Sequence, residues 1–362
     1  MAIDLRSDIV SRPTEAMIEA MVAAARTPSG FGLTEDPIVR RLEQLAADRL
    51  GKEGALFCPT CTLCNQIAVH LRCRPGESFL AEASSHVLLA EAGAVAAMSG
   101  ALPVSVPGGR GVPDLAAMER SVRAGDASRP RTALIFIENT HVYSGGTVVP
   151  LTTMRSLYDL ARKKALPVHL DGSRLFNAAT FLGVPGREIA RYADSVALSL
   201  NKCLGAPLGA ILAGDRDFIR DAVRVRQMFG GGWRPVGIPA AAGIVALETM
   251  IDRIGEDHRH ARRLAEGLAG CDGIRVDQNR VDTNIVLAHV DRALIRVGEF
   301  VQKLEEEGIL VMEFSVVDPD TVRMVTHCDI GQDEIDRVIE AVAAVMKAEA
   351  GMRVAERTTV SD

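Results

Sequence analysis

The chain has 362 residues, enough for one large or two medium domains with a sizeable core, so folding need not rest on disulfides. Lys+Arg 41 against Asp+Glu 47 gives a formal charge of −6, with 48% hydrophobic residues, which argues against a disordered chain and a dedicated nucleic-acid binder. The longest apolar stretches fall short of a bilayer span, no basic-then-apolar signal opens the chain, and seven cysteines are spread along it; free thiols, a cytoplasmic location and no membrane partner are expected.

Residues 1–25 read as an amino-terminal arm feeding a short helix that opens at Pro13. Asp36-Pro37 starts a second helix, with apolar residues at helical spacing up to a stop at Gly51. From Ala55 onward, short non-alternating apolar runs predict strands at 55–58, 78–81, 103–106, 132–137, 167–170, 195–200 and 209–212. Helical patterns lie between several of them, at 65–72, 115–122 and 154–164. This order marks an α/β protein whose mainly parallel sheet is covered on both faces, with functional residues beyond the strand ends. Residues 239–252 read as one long buried helix. The expected large domain is 26–253, followed by a smaller α+β domain at 254–348 and a polar, frayed tail at 349–362.

Of six lysines, five sit in polar contexts, whereas Lys202 lies between the apolar runs Val196–Leu200 and Cys203–Ala210. An ammonium there is a loop lysine near buried strands or, if desolvated, a nucleophilic amine of the Schiff-base kind. A pyridoxal phosphate site would also need a carboxylate for the ring nitrogen, a phosphate cradle, a plate over the ring and a cation for the amino acid carboxylate. Asp171 ends the apolar run Val168–Leu170 and reads as that carboxylate or as a helix cap; Arg174 reads as a ligand contact or a local salt bridge. Cys61 and Thr62 lie in a turn, Pro59–Thr62, before a helix at 63–71 whose exposed N–H groups suit a phosphate, a pattern that ordinary capping also produces. His86 stands where its ring can cover a planar cofactor, with Glu91 either orienting polar groups or facing solvent. His141, beyond another strand, is a candidate base or water-holding group. Arg234 follows three glycines and suits a phosphate, in its own or a neighbouring subunit, or a mobile surface loop. Arg323, in a carboxy-terminal strand, suits a carboxylate clamp or faces solvent. The C-x2-C-x2-C run of Cys58, Cys61 and Cys64 resembles part of an iron-sulfur ligand set, but it straddles strand, turn and helix, and no metal is expected.

The ordered set Asp4–Asp8, Glu35-Asp36-Pro37, Ser84-Ser85-His86, Glu138–His141, His169–Ala179, Asn201-Lys202, Gly230–Arg234 and Val322–His327 resembles the L-threonine aldolases of the β-eliminating lyase group over nearly the whole chain. The resemblance implies the aspartate aminotransferase type of fold (type I): a large domain with a mainly parallel seven-stranded sheet plus a small carboxy-terminal α+β domain. It implies pyridoxal 5'-phosphate as cofactor and a homodimer or homotetramer. The implied reaction is retro-aldol cleavage of a β-hydroxy-α-amino acid, such as threonine or allo-threonine, to glycine and an aldehyde, with β-elimination from a cysteine- or serine-like substrate as the rival. By resemblance Lys202 forms the internal aldimine, Asp171 pairs with the pyridine nitrogen and His86 stacks on the ring. Backbone at Cys61 and Thr62 holds the phosphate, with Arg234 contributing across an interface. Ser7, Arg174 and Arg323 form the substrate carboxylate shell, and His86 and His141 serve the β-hydroxyl. Cys61 and Cys64 replace two glycines of the family's usual phosphate loop, and Gln227 stands where a lysine is common.

Overall fold

A computed structural model describes residues 2–316 and 318–359, with side chains through residue 352. It divides into two compact units, Arg12–Ile254 and Met1–Ser11 together with Gly255–Asp362.

The Arg12–Ile254 unit is built on a seven-stranded sheet. In spatial order its strands are Gly54–Cys58, Ala210–Gly214, Ser195–Ser199, Val168–Asp171, Thr132–Glu138, Ser78–Glu82 and Leu102–Val106. All pairings are parallel except those of Ala210–Gly214, which runs antiparallel to both neighbours. The interior strand Thr132–Glu138, TALIFIE, is buried at every position; such continuous apolar strands form where helices cover both faces of a sheet. Helix Pro37–Leu50 begins with Pro37 in its first turn, and Asp36 Oδ1 accepts from the Ile38 and Val39 N–H groups. It ends at Gly51 with φ of 62°, a left-handed cap that glycine adopts at no steric cost.

In the other unit, strands Ile274–Arg275, Ile285–Val290, Thr321–Val325 and Met312–Glu313 form an antiparallel sheet. Helices Ile254–Ala269, Val297–Glu306 and Gln332–Thr359 accompany it, and the apolar core includes Leu264, Val286, Phe300, Met324 and Val338. The amino terminus joins this unit because Ile3–Asp4 pairs in parallel with Ile309–Leu310 and Val325 N–H donates to Leu5 O at 2.8 Å. Helix Glu15–Ala25, which follows this segment, packs on helix Gly237–Val245 within the Arg12–Ile254 unit.

Two expected elements differ. The single helix at 239–252 is Gly237–Val245 running into a π-helical turn at Ala246–Met250, a one-turn bulge that apolar periodicity does not distinguish from α-helix. The expected frayed tail at 349–362 is helical up to residue 359, as the end of helix Gln332–Thr359, through Arg, Ala and Glu residues that favour helix. The last three residues of the expected polar tail, 360–362, lie outside the described residues. Among the described residues, no helix is long and apolar enough to cross a membrane.

Candidate active site

Three neighbouring parallel strands each end on a carboxylate: Glu82, Glu138 and Asp171. Glu138 and Asp171 are register partners across their strands. The next strand, Ser195–Ser199, leads into the half-buried loop that carries Lys202. The carboxyl ends of the sheet thus gather the charged groups, as the topology of an open α/β sheet requires.

Asp171 is 2% exposed, and burial alone would raise its pKa. The positive charges of His86 and Lys202, with hydrogen bonds from Asn65 and Ser173, reverse that and hold the carboxyl below its ordinary value. Asn65 Nδ2 donates to Asp171 Oδ2 and to Glu91 Oε1, both at 2.8 Å. With both amide hydrogens spent on carboxylates, Asn65 Oδ1 can only accept, and it lies 3.1 Å from His169 Nε2. His169 Nε2 is therefore the protonated nitrogen, and Nδ1 accepts from the Ser195 hydroxyl at 2.8 Å. Burial keeps this imidazole neutral, its pKa pushed down to about 4. Strand alternation explains the arrangement, because His169 and Asp171 share a face and Asn65 spans them.

Glu91 is 4% exposed and faces inward. It accepts from Gln66 Nε2 at 2.6 Å and lies 3.0 Å from His86 Nδ1. Burial works against a charged His86, but the bond to Glu91 and the charges of Asp171, Glu91 and Glu138 raise its pKa above 6.5. His86 N–H donates to Glu138 Oε2 at 2.6 Å, which fixes the start of the short helix His86–Leu89. The ring is thereby anchored through Nδ1, leaving Nε2 as its open nitrogen.

His141 is fully buried, with Nε2 3.1 Å from Glu82 Oε2 and 3.8 Å from Glu138 Oε2. Despite the opposing burial, Glu138 and Glu82 raise its pKa. The proton is distributed unequally in this cluster: burial raises the Glu138 pKa, whereas bonds from His141 and Ser84 outweigh burial and lower that of Glu82. Gly111, at φ of 75°, lies against the imidazole so closely that a Cβ would overlap the ring. Asn139 pins the following loop by exchanging two 3.1 Å hydrogen bonds with the Val149 backbone.

Helix Cys61–Arg72 starts beside Asp171. Thr60 caps it by accepting from Leu63 N–H at 3.1 Å, which leaves the Cys61 and Thr62 N–H groups without intrahelical partners at the positive end of the helix. These features fit pyridoxal 5'-phosphate. The helix start offers N–H donors for a phosphate, and Asp171 is a buried carboxylate kept ionised for a ring nitrogen. Lys202 lies close enough to influence both Asp171 and Cys61 electrostatically. The Cys58, Cys61 and Cys64 thiols are free.

The remaining expected residues are placed as follows. Arg174 is 3% exposed and immediately precedes helix Leu175–Leu182. Arg234 is exposed; its Nη1 donates to Phe31 O at 2.8 Å and its guanidinium stacks over the Phe31 ring. Ser7 and Arg323 belong to the other unit. There Ser7 Oγ accepts from Ile9 N–H, while Arg323 Nη2 donates to Arg6 O at 3.0 Å and its guanidinium lies over Phe314. Sequence reasoning did not single out Asn65, Gln66 or Glu82. An Asn-Gln pair between Cys64 and Ile67 on an otherwise apolar helix face was the available signal for the first two. A carboxylate closing an apolar strand, as at Asp171, was the signal for Glu82.

Comparison with known proteins agrees with this arrangement. The beta-eliminating lyase family matches residues 4–293. Low-specificity L-threonine aldolase 1 of Arabidopsis thaliana is 37% identical over 351 residues, covering 95% of this chain and 96% of that one. The low specificity L-threonine aldolase of Escherichia coli K12 is 37% identical over 340 residues, covering 93% and 97%. In fold, the chain is similar to the threonine aldolase of Leishmania major, with a TM-score of 0.82 at 19% identity over 95% of this chain and 99% of that one. The chain belongs to the beta-eliminating lyase family and, within it, to the L-threonine aldolases.

Proposed function

We propose that this protein cleaves a β-hydroxy-α-amino acid, L-threonine or L-allo-threonine, to glycine and an aldehyde. The observation that carries the reading is Asp171, held ionised at a strand end beside Lys202, His86 and the open start of helix Cys61–Arg72. When bound there, pyridoxal 5'-phosphate supplies an electron sink for the pair released from the breaking Cα–Cβ bond.

The side chains support that chemistry as follows. The Cys61 and Thr62 N–H groups would hold the cofactor's phosphate, Lys202 would supply the amine that attaches it, Asp171 would keep a proton on its ring nitrogen, and His86 would lie against it. The Nδ1 of His86 is committed to Glu91, so Nε2 exchanges the proton of the β-hydroxyl, directly or through a water. His141, with Glu82 and Glu138, keeps an additional proton buried behind it. Arg174 is proposed to bind the substrate carboxylate, and the resemblance at Val322–His327 and Asp4–Asp8 supports a substrate-binding role for Arg323 and Ser7. The resemblance at Gly230–Arg234 supports a phosphate-binding role for Arg234. Exposed Ile18 and Val22 on helix Glu15–Ala25, with Ile238, support self-association as a homodimer or homotetramer. Seven free cysteines support a reducing, cytoplasmic setting.

The test is turnover of threonine, allo-threonine, phenylserine and serine by purified, cofactor-loaded protein. Glycine plus aldehyde is the expected product pair, whereas pyruvate plus ammonia would replace this reading with β-elimination. Lys202→Ala should abolish the bound-cofactor spectrum and turnover while leaving the fold intact.

A further inference from the structure

The carboxylate of Asp171 has four lone-pair positions, and the described residues occupy three. Ser173 N–H donates to Oδ1 at 3.0 Å, Asn65 Nδ2 donates to Oδ2 at 2.8 Å, and the Cys61 thiol donates to Oδ1 at a sulfur–oxygen distance of 3.9 Å. Oδ1 is thus saturated, and the vacant position belongs to Oδ2. The Cys61 thiol and the Ser173 N–H thus converge on the same carboxylate oxygen.

We propose that Cys61 is a positioning residue: its thiol saturates Asp171 Oδ1, directing Oδ2 at the pyridine nitrogen and keeping the negative charge on the carboxylate so that the proton stays on the ring. The inference rests on the pyridoxal phosphate reading above and adds a side-chain role at a residue otherwise used through its backbone. A thiol suits the task because burial and the adjoining Asp171 charge raise its pKa far above the ordinary value. It remains a donor across the physiological range, and it is not available as a thiolate nucleophile or metal ligand. Removing it leaves Asp171 with two donors and greater proton affinity, which draws the shared proton from the ring nitrogen towards Oδ1 or Oδ2.

The experiment uses holoenzyme loaded with cofactor labelled with nitrogen-15 in the pyridine ring. Wild type, Cys61→Ala and Cys61→Ser are compared by the ring-nitrogen chemical shift, cofactor affinity and kcat. Cys61→Ala should move the shift towards the neutral pyridine and lower kcat about threefold to tenfold, the range of one lost hydrogen bond. Cys61→Ser, which restores a hydroxyl donor, should return both towards wild type. If Cys61→Ala does not fold, Cys61→Gly carries the same expectation, because glycine is tolerated in the first helical turn. An unchanged shift in a variant that still binds cofactor overturns the proposal and leaves the pyridoxal phosphate reading standing. Equal losses in the alanine and serine variants overturn it too, in favour of simple packing. Failure of wild type to bind the cofactor would instead remove the reading on which the proposal rests.

Discussion

Replacing Asn65 tests whether one amide organises the charged interior. Its side chain makes two bonds to carboxylates at 2.8 Å and takes one from His169 Nε2 at 3.1 Å. A hydrogen bond to a charged group contributes about 1.5–3 kcal/mol and a neutral one about 1 kcal/mol. Asn65→Ala thus removes about 4–7 kcal/mol of interactions. Water entering the space left by the amide recovers part, so a net loss of about 3–4 kcal/mol is expected. Urea unfolding of the cofactor-free protein, followed by Trp233 fluorescence and circular dichroism together, measures it at pH 8. Asn65→Asp gives the stricter check, since it puts a third carboxylate where a double donor stood. It should be at least as destabilising as alanine at pH 8 and recover relative to it near pH 5, where the new carboxyl, its pKa raised by its anionic neighbours, takes a proton and donates. A loss below about 1 kcal/mol for Asn65→Ala, or an aspartate variant more stable than the alanine variant at pH 8, would refute the network.

Two further outcomes follow from the same unit. Gly111→Ala combines a φ of 75° with overlap on the His141 ring, and should cost about 2 kcal/mol or more while lowering the His141 pKa as the ring leaves Glu82; histidine NMR titration reads the shift. Glu43 is half-buried and accepts from Phe57 N–H at 2.8 Å, and desolvation pushes its pKa up to about 7. A raised folded-state pKa stabilises fully below the unfolded value of 4.5 and is lost as pH climbs through 7, a change of about 3 kcal/mol. Glu43→Gln should flatten the stability profile across that window, and an unaltered slope would contradict the assignment.

The sheet was legible because its strands are apolar throughout: all seven expected runs form its seven strands, shifted by a residue or two at their ends. The reversed direction of Ala210–Gly214 was not, since a buried strand carries the same residues whichever way it points. Lys202 and Asp171 stood out as charges against apolar runs. Asn65 and Gln66 did not, because a polar residue at a helical position looks alike whether it meets solvent or two buried carboxylates; only the fold brings Glu91 and Asp171 to that face. The pairing of the first residues was hidden for a related reason. The partner of Ile3–Asp4 is more than 300 residues away, at Ile309–Leu310, and local periodicity carries no trace of such a pairing.

The three carboxylates closing adjacent strands have a thermal and evolutionary corollary. Because Glu82, Glu138 and Asp171 each depend on donors contributed by other segments, exchanging any one segment with that of a relative must bring its donors along. Chimeras cut between residues 61 and 91 are therefore expected to fail more often than chimeras cut at the outer helices, where surface ion pairs such as Arg41–Glu248 leave no buried charge behind when broken.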